Sequence, residues 1–320
     1  MKQEDLLERV IIVPWNGYVN RLQAWASASI LAERLGAELK VAWETEQVAP
    51  APASTLFSHA LMERLFVSVD DVTQQLGRAH TAMPRYLTVD QDQRIAFLAG
   101  HDRGEQHFMN ELHQVLKATP DVTTLVIVAG GKFHLPHEAD FTAKRKHFYN
   151  QIAWHPDIND RLTAAQSTDP SYLGVHIRQT DRSREAPTSR AIERAVQALA
   201  ELSVVTDVFL AGDTAGARQQ WCDRLTRLGF SVWMSDAGSF NREESASARD
   251  AIVDWLLLGR SEAIIYSAQS SFGQEAAVMT TRPELCRGLQ ANWTVRGFRD
   301  AKRISRSAVK AATGRRSSEQ

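Results

Sequence analysis

Hydrophobic positions along the chain change period repeatedly, from short continuous runs to a three-to-four-residue repeat and back. Residues 9–14 (RVIIVP) form the first apolar run, closed by Pro14 and Gly17. A run of this length between breakers predicts a buried strand. Leu22, Ala26, Ser29/Ile30 and Glu33 then recur at helical spacing and Gly36 supplies a stop, so residues 20–35 are predicted helical. A second strand is predicted at Leu39–Trp43. Residues 50–110 are less regular, with a Pro/Ala stretch (APAPAS), a helix at 59–66 and short strands near 86–89 and 94–99. A helix at 104–118, an apolar strand at 122–129 (VTTLVIVA) and two helices within 140–165 follow.

The second half alternates more cleanly. Strands are predicted at 171–177, 206–211, 230–234 and 263–267, each followed by a helix, at 188–202, 214–228, 246–259 and 271–281. Such a series predicts a parallel sheet covered on both faces. With a boundary near QSTDP at 166–170, the chain divides into two α/β domains facing a cleft, residues 1–167 and 168–295, and a tail, 296–320. Ligands of such sheets sit beyond the carboxyl ends of the strands, so the residues just after each strand are the ones to inspect.

Composition narrows the class. The 320 residues are 43% hydrophobic and 23% charged, which excludes a wholly disordered, collagen-like or coiled-coil chain. Two cysteines, Cys222 and Cys286, exclude a disulfide scaffold and a four-thiolate zinc site and suit a reducing cytosol. The longest apolar runs, such as Val122–Gly130, are far too short for a membrane span, and MKQEDLLERVIIVPW carries three acids where a signal peptide would be basic. The expectation is a cytoplasmic protein. The net charge of −1 hides an asymmetry: residues 296–320 hold eight Lys/Arg and two acids, +6, which leaves −7 for the rest. A mildly acidic body offers no general attraction to nucleic acid.

Three clusters follow predicted strands. Trp15-Asn16-Gly17-Tyr18-Val19-Asn20-Arg21-Leu22 joins the first strand to the first helix. Gly17 lets backbone approach a ligand, and a helix start offers N–H groups to a phosphate, though an ordinary turn has the same composition. His176-Ile177-Arg178-Gln179-Thr180-Asp181-Arg182 places His, two Arg and an Asp at a strand end, where a guanidinium can grip a phosphate bidentately or pair with Asp181. Asp254 precedes Ser270 and Ser271, which lie between a strand and a helix and serve as N-caps or phosphate ligands. Asp213, in Ala211-Gly212-Asp213-Thr214, has the same position and the same two readings.

Taken in order, GYVNRLQAWASASILAERLGAELKVAWE, GVHIRQTDR, VFLAGDTAGA and DWLLLGRSEAIIYSAQSSFGQEAAVM resemble the three peptide motifs of the GDP-fucose-dependent fucosyltransferases. The likeness is to the α1,6-fucosyltransferases, which include the rhizobial nodulation enzymes, with protein O-fucosyltransferases as relatives. Gly17, Asn20, Arg21 and Leu22 match a G-x-x-N-R-L motif, and residues 176–182 match H-x-R-R-T-D-K except that Gln179 replaces the second arginine and Arg182 the lysine. Asp254 and Ser270 match the third motif. The resemblance implies a GT-B fold of two Rossmann-like domains and an inverting transfer that needs no metal or other cofactor. The donor would be GDP-fucose and the acceptor a carbohydrate or other hydroxyl. It implies that Arg178 grips the β-phosphate, supported by Ser270, Ser271, Arg182 and the Gly17–Arg21 turn. His176 and Asp254 would contact guanine, and Asp213 would lie near the ribose. Glu185, or else Asp181, would be the general base.

Other features compete. Asp90-Gln91-Asp92 is a D-x-D triplet in a polar stretch and fits a turn; His134 and His137 are separated by the helix-breaking Pro136; Gly130-Gly131-Lys132 lacks the rest of a P-loop. Trp221, Trp233 and Trp255 fit the core, and Trp15 and Trp293 are candidates for stacking on an acceptor sugar. Gln179 keeps open a nucleotide-sugar-binding protein without transfer, and a transferase of another nucleotide sugar is a further alternative. Residues 296–313 (RGFRDAKRISRSAVKAAT) fit a basic helix. It either packs on the N-terminal domain or docks on anionic lipid at the inner face of the membrane, or on an anionic acceptor.

Overall fold

The computed structural model describes residues 7–76, the backbone of 88–90 and 95–100, and residues 110, 112–114, 117, 122–133, 140–165, 171–178, 187–236, 238–240 and 244–290. Among them, ten strands make two five-stranded sheets. The first contains β1 (Arg9–Pro14), β2 (Glu38–Val41), β3 (Thr88–Asp90), β4 (Ile95–Gly100) and β5 (Thr124–Ala129) in the order β2-β1-β5-β4-β3. It is parallel apart from β3, which runs antiparallel to β4. The second contains β6 (Leu173–Ile177), β7 (Asp207–Gly212), β8 (Ser231–Trp233), β9 (Ile264–Ser267) and β10 (Arg287–Leu289) in the order β10-β9-β6-β7-β8, all parallel. The parallel, helix-covered α/β sheets expected from the alternation are the ones observed.

The central strands are buried because helices cover both faces, which is why RVIIVP and LGVHI are continuously apolar or small rather than alternating. Helices of the first half are α1 (Tyr18–Leu35), α2 (Ala53–Leu56), α3 (His59–Leu65), α4 (Val69–Leu76), α5 (Phe141–Gln151) and α6 (Pro156–Ala165). Those of the second are α7 (Ser189–Ser203), α8 (Ala215–Arg227), α9 (Ser245–Arg260) and α10 (Ser271–Met279). Gly36 ends α1 at φ 65°, a left-handed position that glycine occupies without steric cost, and its N–H bonds the Ala32 carbonyl. Trp25 of α1 is 1% exposed and meets Phe57, Phe66 and Phe148 edge-to-face at 5.3–5.5 Å.

One apolar core runs through both halves. It joins Leu22, Trp25 and Tyr149 to Trp255, Leu257 and Met279, and α9 is buried over most of its surface. Trp221 and Trp255 are core residues, and Trp233 packs half-buried on Tyr172 and Phe209. The pattern had no sign of β10, because RGL is an exposed three-residue edge with no apolar run; it is held by pairing to β9. Asp90 ends β3 and pairs with Ile95 of β4 in an antiparallel register. Asp92, His134, His137, Trp293, the domain boundary at 167/168 and the basic tail lie outside the described residues. No helix among the described residues is long and apolar enough to cross a membrane.

Candidate active site at the strand ends

In the second sheet the chain leaves β6 toward β7 and β9 toward β10, in opposite directions, and the crevice at such a reversal is where open α/β sheets bind ligands. In the first sheet β1 leads outward to β2 and pairs on its other side with β5, the last strand of that sheet; in the second the reversal lies between β6 and β9. The turns that leave these strands are the ones singled out above. Trp15–Asn20 follows β1, Gly130–Lys132 follows β5, Arg178 follows β6, and Ala268–Ser271 follows β9.

The first turn is built by its own side chains. Asn16 sits at φ 78°, uncommon for a residue with a Cβ. Its Oδ1 accepts from the Gly17 N–H at 3.0 Å, and its amide reaches the Gly130 carbonyl at 3.5 Å. Trp15 lies so close over Gly130 that a Cβ there would come within 2.5 Å of the indole. Gly17 is the N-cap of α1 with no side-chain cap and open space where a Cβ would project, and Asn20 is half-exposed one turn later. Arg21 differs from expectation. It is fully buried, donates from Nε to the Asn16 carbonyl at 2.8 Å and from Nη1 to the Glu44 carbonyl, pairs with Glu46 and stacks on Trp43. Nε and Nη1 of Arg21 thus brace the turn, and its buried Nη2 meets Glu46 as an ion pair at 3.4 Å without a hydrogen bond.

In the second sheet, β6–β7 register sets Ile177 opposite Gly212, which brings Arg178 and Asp213 side by side at the strand ends. Thr214, not Asp213, caps α8, accepting from the Ala217 N–H at 3.1 Å. His176 is 8% exposed, stacks on Phe272 at 4.9 Å, and its Nδ1 is buried without a hydrogen-bond partner. Burial, reinforced by Arg178, lowers its pKa to about 4. A neutral imidazole with an unsatisfied buried nitrogen at a strand end suits an uncharged polar ligand group.

Asp254, on the buried face of α9, is held by residues that sequence reasoning did not identify. Arg218 of α8 donates to its Oδ2 and Ser235 to its Oδ1. Arg218 also bonds the Gly212 carbonyl at 3.1 Å and carries Phe240 over its guanidinium at 4.7 Å. Burial raises the Asp254 pKa to about 6, against the pull of Arg218. A carboxylate offers roughly four acceptor directions, so two bonded partners leave room for a ligand donor pair. Beyond β9, Ser270 is the buried N-cap of α10, accepting from the Gly273 N–H at 3.4 Å, and Ser271 stands half-exposed at the first helical position. Asp181, Arg182 and Glu185 lie outside the described residues.

The two shifted groups act oppositely on stability. Below pH 6.5 the unfolded chain protonates His176 while the folded chain resists down to about 4, so this contribution is complete above 6.5 and lost on acidification. Asp254 gains a proton in the fold near pH 6 but in the unfolded chain only near 3.8, so its contribution grows on acidification. His176→Phe should remove the first alone. Urea unfolding of the variant and the wild type at pH 7, 5.5 and 4.5 is expected to show the variant gaining relative stability as pH falls. A pH-independent difference would mean that His176 is not held neutral.

No protein-family model and no curated protein sequence matches the chain. Solved structures do. Fucosyltransferase NodZ from Bradyrhizobium superposes with a TM-score of 0.54 at 19% identity, over 85% of this chain and 94% of that one. NodZ α-1,6-fucosyltransferase soaked with GDP-fucose gives 0.56 at 19% identity, over 85% and 93%. FUT1 of Arabidopsis thaliana with GDP gives 0.57 at 13% identity over 85% and 68%, and POFUT1 with GDP gives 0.50 at 12% over 86% and 95%. The chain thus has the two-sheet GT-B fold of these fucosyltransferases.

Proposed function

We propose that this chain is an inverting, metal-independent glycosyltransferase that moves fucose from GDP-fucose to a hydroxyl of a glycan or other acceptor. The carrying observation is that the motif residues Arg178 and Ser270–Ser271 follow the two strands that flank the reversal point of the second sheet, while Gly17–Asn20 opens the first helix after β1. The solved neighbours that hold GDP or GDP-fucose support the choice of donor. In this reading the domains divide at 167/168.

The acceptor oxygen attacks the anomeric carbon from the face opposite the diphosphate. The glycosyl–phosphate bond breaks, its electrons leave with GDP, and the hydroxyl proton passes to a carboxylate, Glu185 or Asp181. Arg178 neutralises the charge that builds on the β-phosphate, aided by Arg182 and the N–H groups and hydroxyls at the starts of α1 and α10. Asp254 accepts from the N–H groups of guanine, His176 supplies a neutral polar edge beside it, and Asp213 meets the ribose.

Calorimetry with GDP, UDP and ADP, each with magnesium and with EDTA, tests the reading. GDP is expected to bind the most tightly and equally under both conditions. Loss of GDP binding in EDTA would overturn metal independence, and no preference for GDP would overturn the donor. Binding of GDP-fucose without release of GDP in the presence of acceptor glycans would make the chain a binder, the outcome Gln179 favours.

A further inference from the structure

Glu275, in the middle of α10, is fully buried. Its Oε1 accepts from Arg145 Nη1 at 2.5 Å and from the Tyr149 hydroxyl at 2.9 Å, both on α5. Its Oε2 accepts from Gln23 Nε2 of α1 at 2.6 Å. Gln23, Arg145 and Tyr149 are each at most 4% exposed. One carboxylate of the second half is thus bonded to two helices of the first. Lys146, next to Arg145, reaches the Thr280 carbonyl just past the end of α10 at 2.7 Å, a cation at a helix C-terminus. The network continues into the loop after β5. Ser27 donates to the Gln23 carbonyl at 2.9 Å and accepts from the Phe133 N–H at 3.2 Å.

Cohesion alone does not require this arrangement, since apolar side chains of similar volume usually hold such an interface as well as a buried ion pair does. Three directional bonds to one carboxylate fix what apolar contact leaves loose, the axial and rotational register of the helices. The bonded residues are also close to the site. Gln23 lies six residues beyond the N-cap of α1 and Glu275 five beyond that of α10, roughly 9 Å and 7.5 Å along the respective axes. Both helix starts are therefore within two turns of one fixed point.

We propose that Glu275 is a positioning residue: it locks α10 onto α1 and α5, so that the Gly17–Asn20 and Ser270–Ser271 helix starts are held in fixed relation to one diphosphate. The locking is read from the bonds alone; the diphosphate rests on the donor assigned above.

Glu275→Ala would strand Arg145 without a counter-charge and unfold the chain for reasons unrelated to register, so the informative variants are Gln23→Met, which removes one bond at nearly constant volume, and Glu275→Gln. The measurements are hydrogen exchange at residues 18–21 and 271–274, with α7 as internal reference, and the KM and kcat for GDP release from GDP-fucose. For Gln23→Met we expect melting within about 5 °C of wild type, exchange at both helix starts about tenfold faster, and α7 unchanged. KM is expected to rise about tenfold, with kcat falling further, since misplacement by about 1 Å can cost a hundredfold. Glu275→Gln should show the same pattern with a lower melting temperature. Unchanged exchange at either helix start in both variants would overturn the locking. Faster exchange with unaltered KM and kcat would overturn its role at the diphosphate. A wild type that does not bind GDP would refute the assigned donor, and the exchange data would still decide the locking.

Discussion

Arg178→Ala should lower the rate of GDP release from GDP-fucose by about 10²–10³-fold, the loss typical of removing one charge-stabilising donor at a departing group. The residue stands at the end of β6, half-buried, beside Asp213 and at the reversal point between β6 and β9, outside the apolar core. The melting temperature should therefore hardly move. Arg178→Lys should recover little, because a single ammonium cannot reproduce the two parallel N–H contacts of a guanidinium. Steady-state kinetics beside a thermal melt are sufficient. Turnover within threefold of wild type for either variant would dismiss Arg178 as the group that stabilises the leaving diphosphate.

The second large effect is expected at Arg218 and Asp254. Arg218→Met leaves the Asp254 carboxylate buried without its counter-ion, which costs about 3–5 kcal/mol in comparable buried pairs. The double variant, Arg218→Met with Asp254→Leu, removes both charges and should regain most of that stability. It should still bind GDP poorly and lose the preference for guanine over adenine. Urea unfolding of the two variants, followed by GDP and ADP titrations of the double variant, separates the parts. A double variant as unstable as the single one would show that the pair does not act as a unit. Retained guanine preference would exclude Asp254 from base recognition.

Much of this organisation was legible because it rests on local regularities. Period changes from continuous apolar runs to helical spacing located the strands of both sheets except β10, and the residues after β1, β6, β7 and β9 stood out because polar groups there follow buried strands. What escaped depends on tertiary contact. Arg218 follows the AGDTAGA turn directly and looks like part of the solvated face of α8; only the approach of α9 reveals its partner. Glu275 sits in SSFGQEAAVM among small residues and has no local partner to betray it, since every bond it makes crosses at least 126 residues of sequence. Arg21 shows the opposite failure. Its place beside Asn20 suggested a ligand, and its burial against Trp43 and the 44–46 backbone makes it part of the scaffold. A short motif does not distinguish a residue that touches a substrate from one that shapes the turn.

The continuous core has an evolutionary corollary. α9 and α10 belong to the second half in sequence, yet Trp255, Leu257 and Met279 pack in one cluster with Trp25 and Tyr149 of the first. Arg249 bonds the Thr55 carbonyl at 2.9 Å, and Arg161 pairs with Asp250 at 2.5 Å. Neither half can therefore be exchanged between lineages as an independent cassette. A recombinant that joined the first half to a foreign second half would expose apolar helix faces and leave Arg145 without the Glu275 carboxylate. Variation among chains of this kind should collect in surface loops, with the two halves inherited as a single unit.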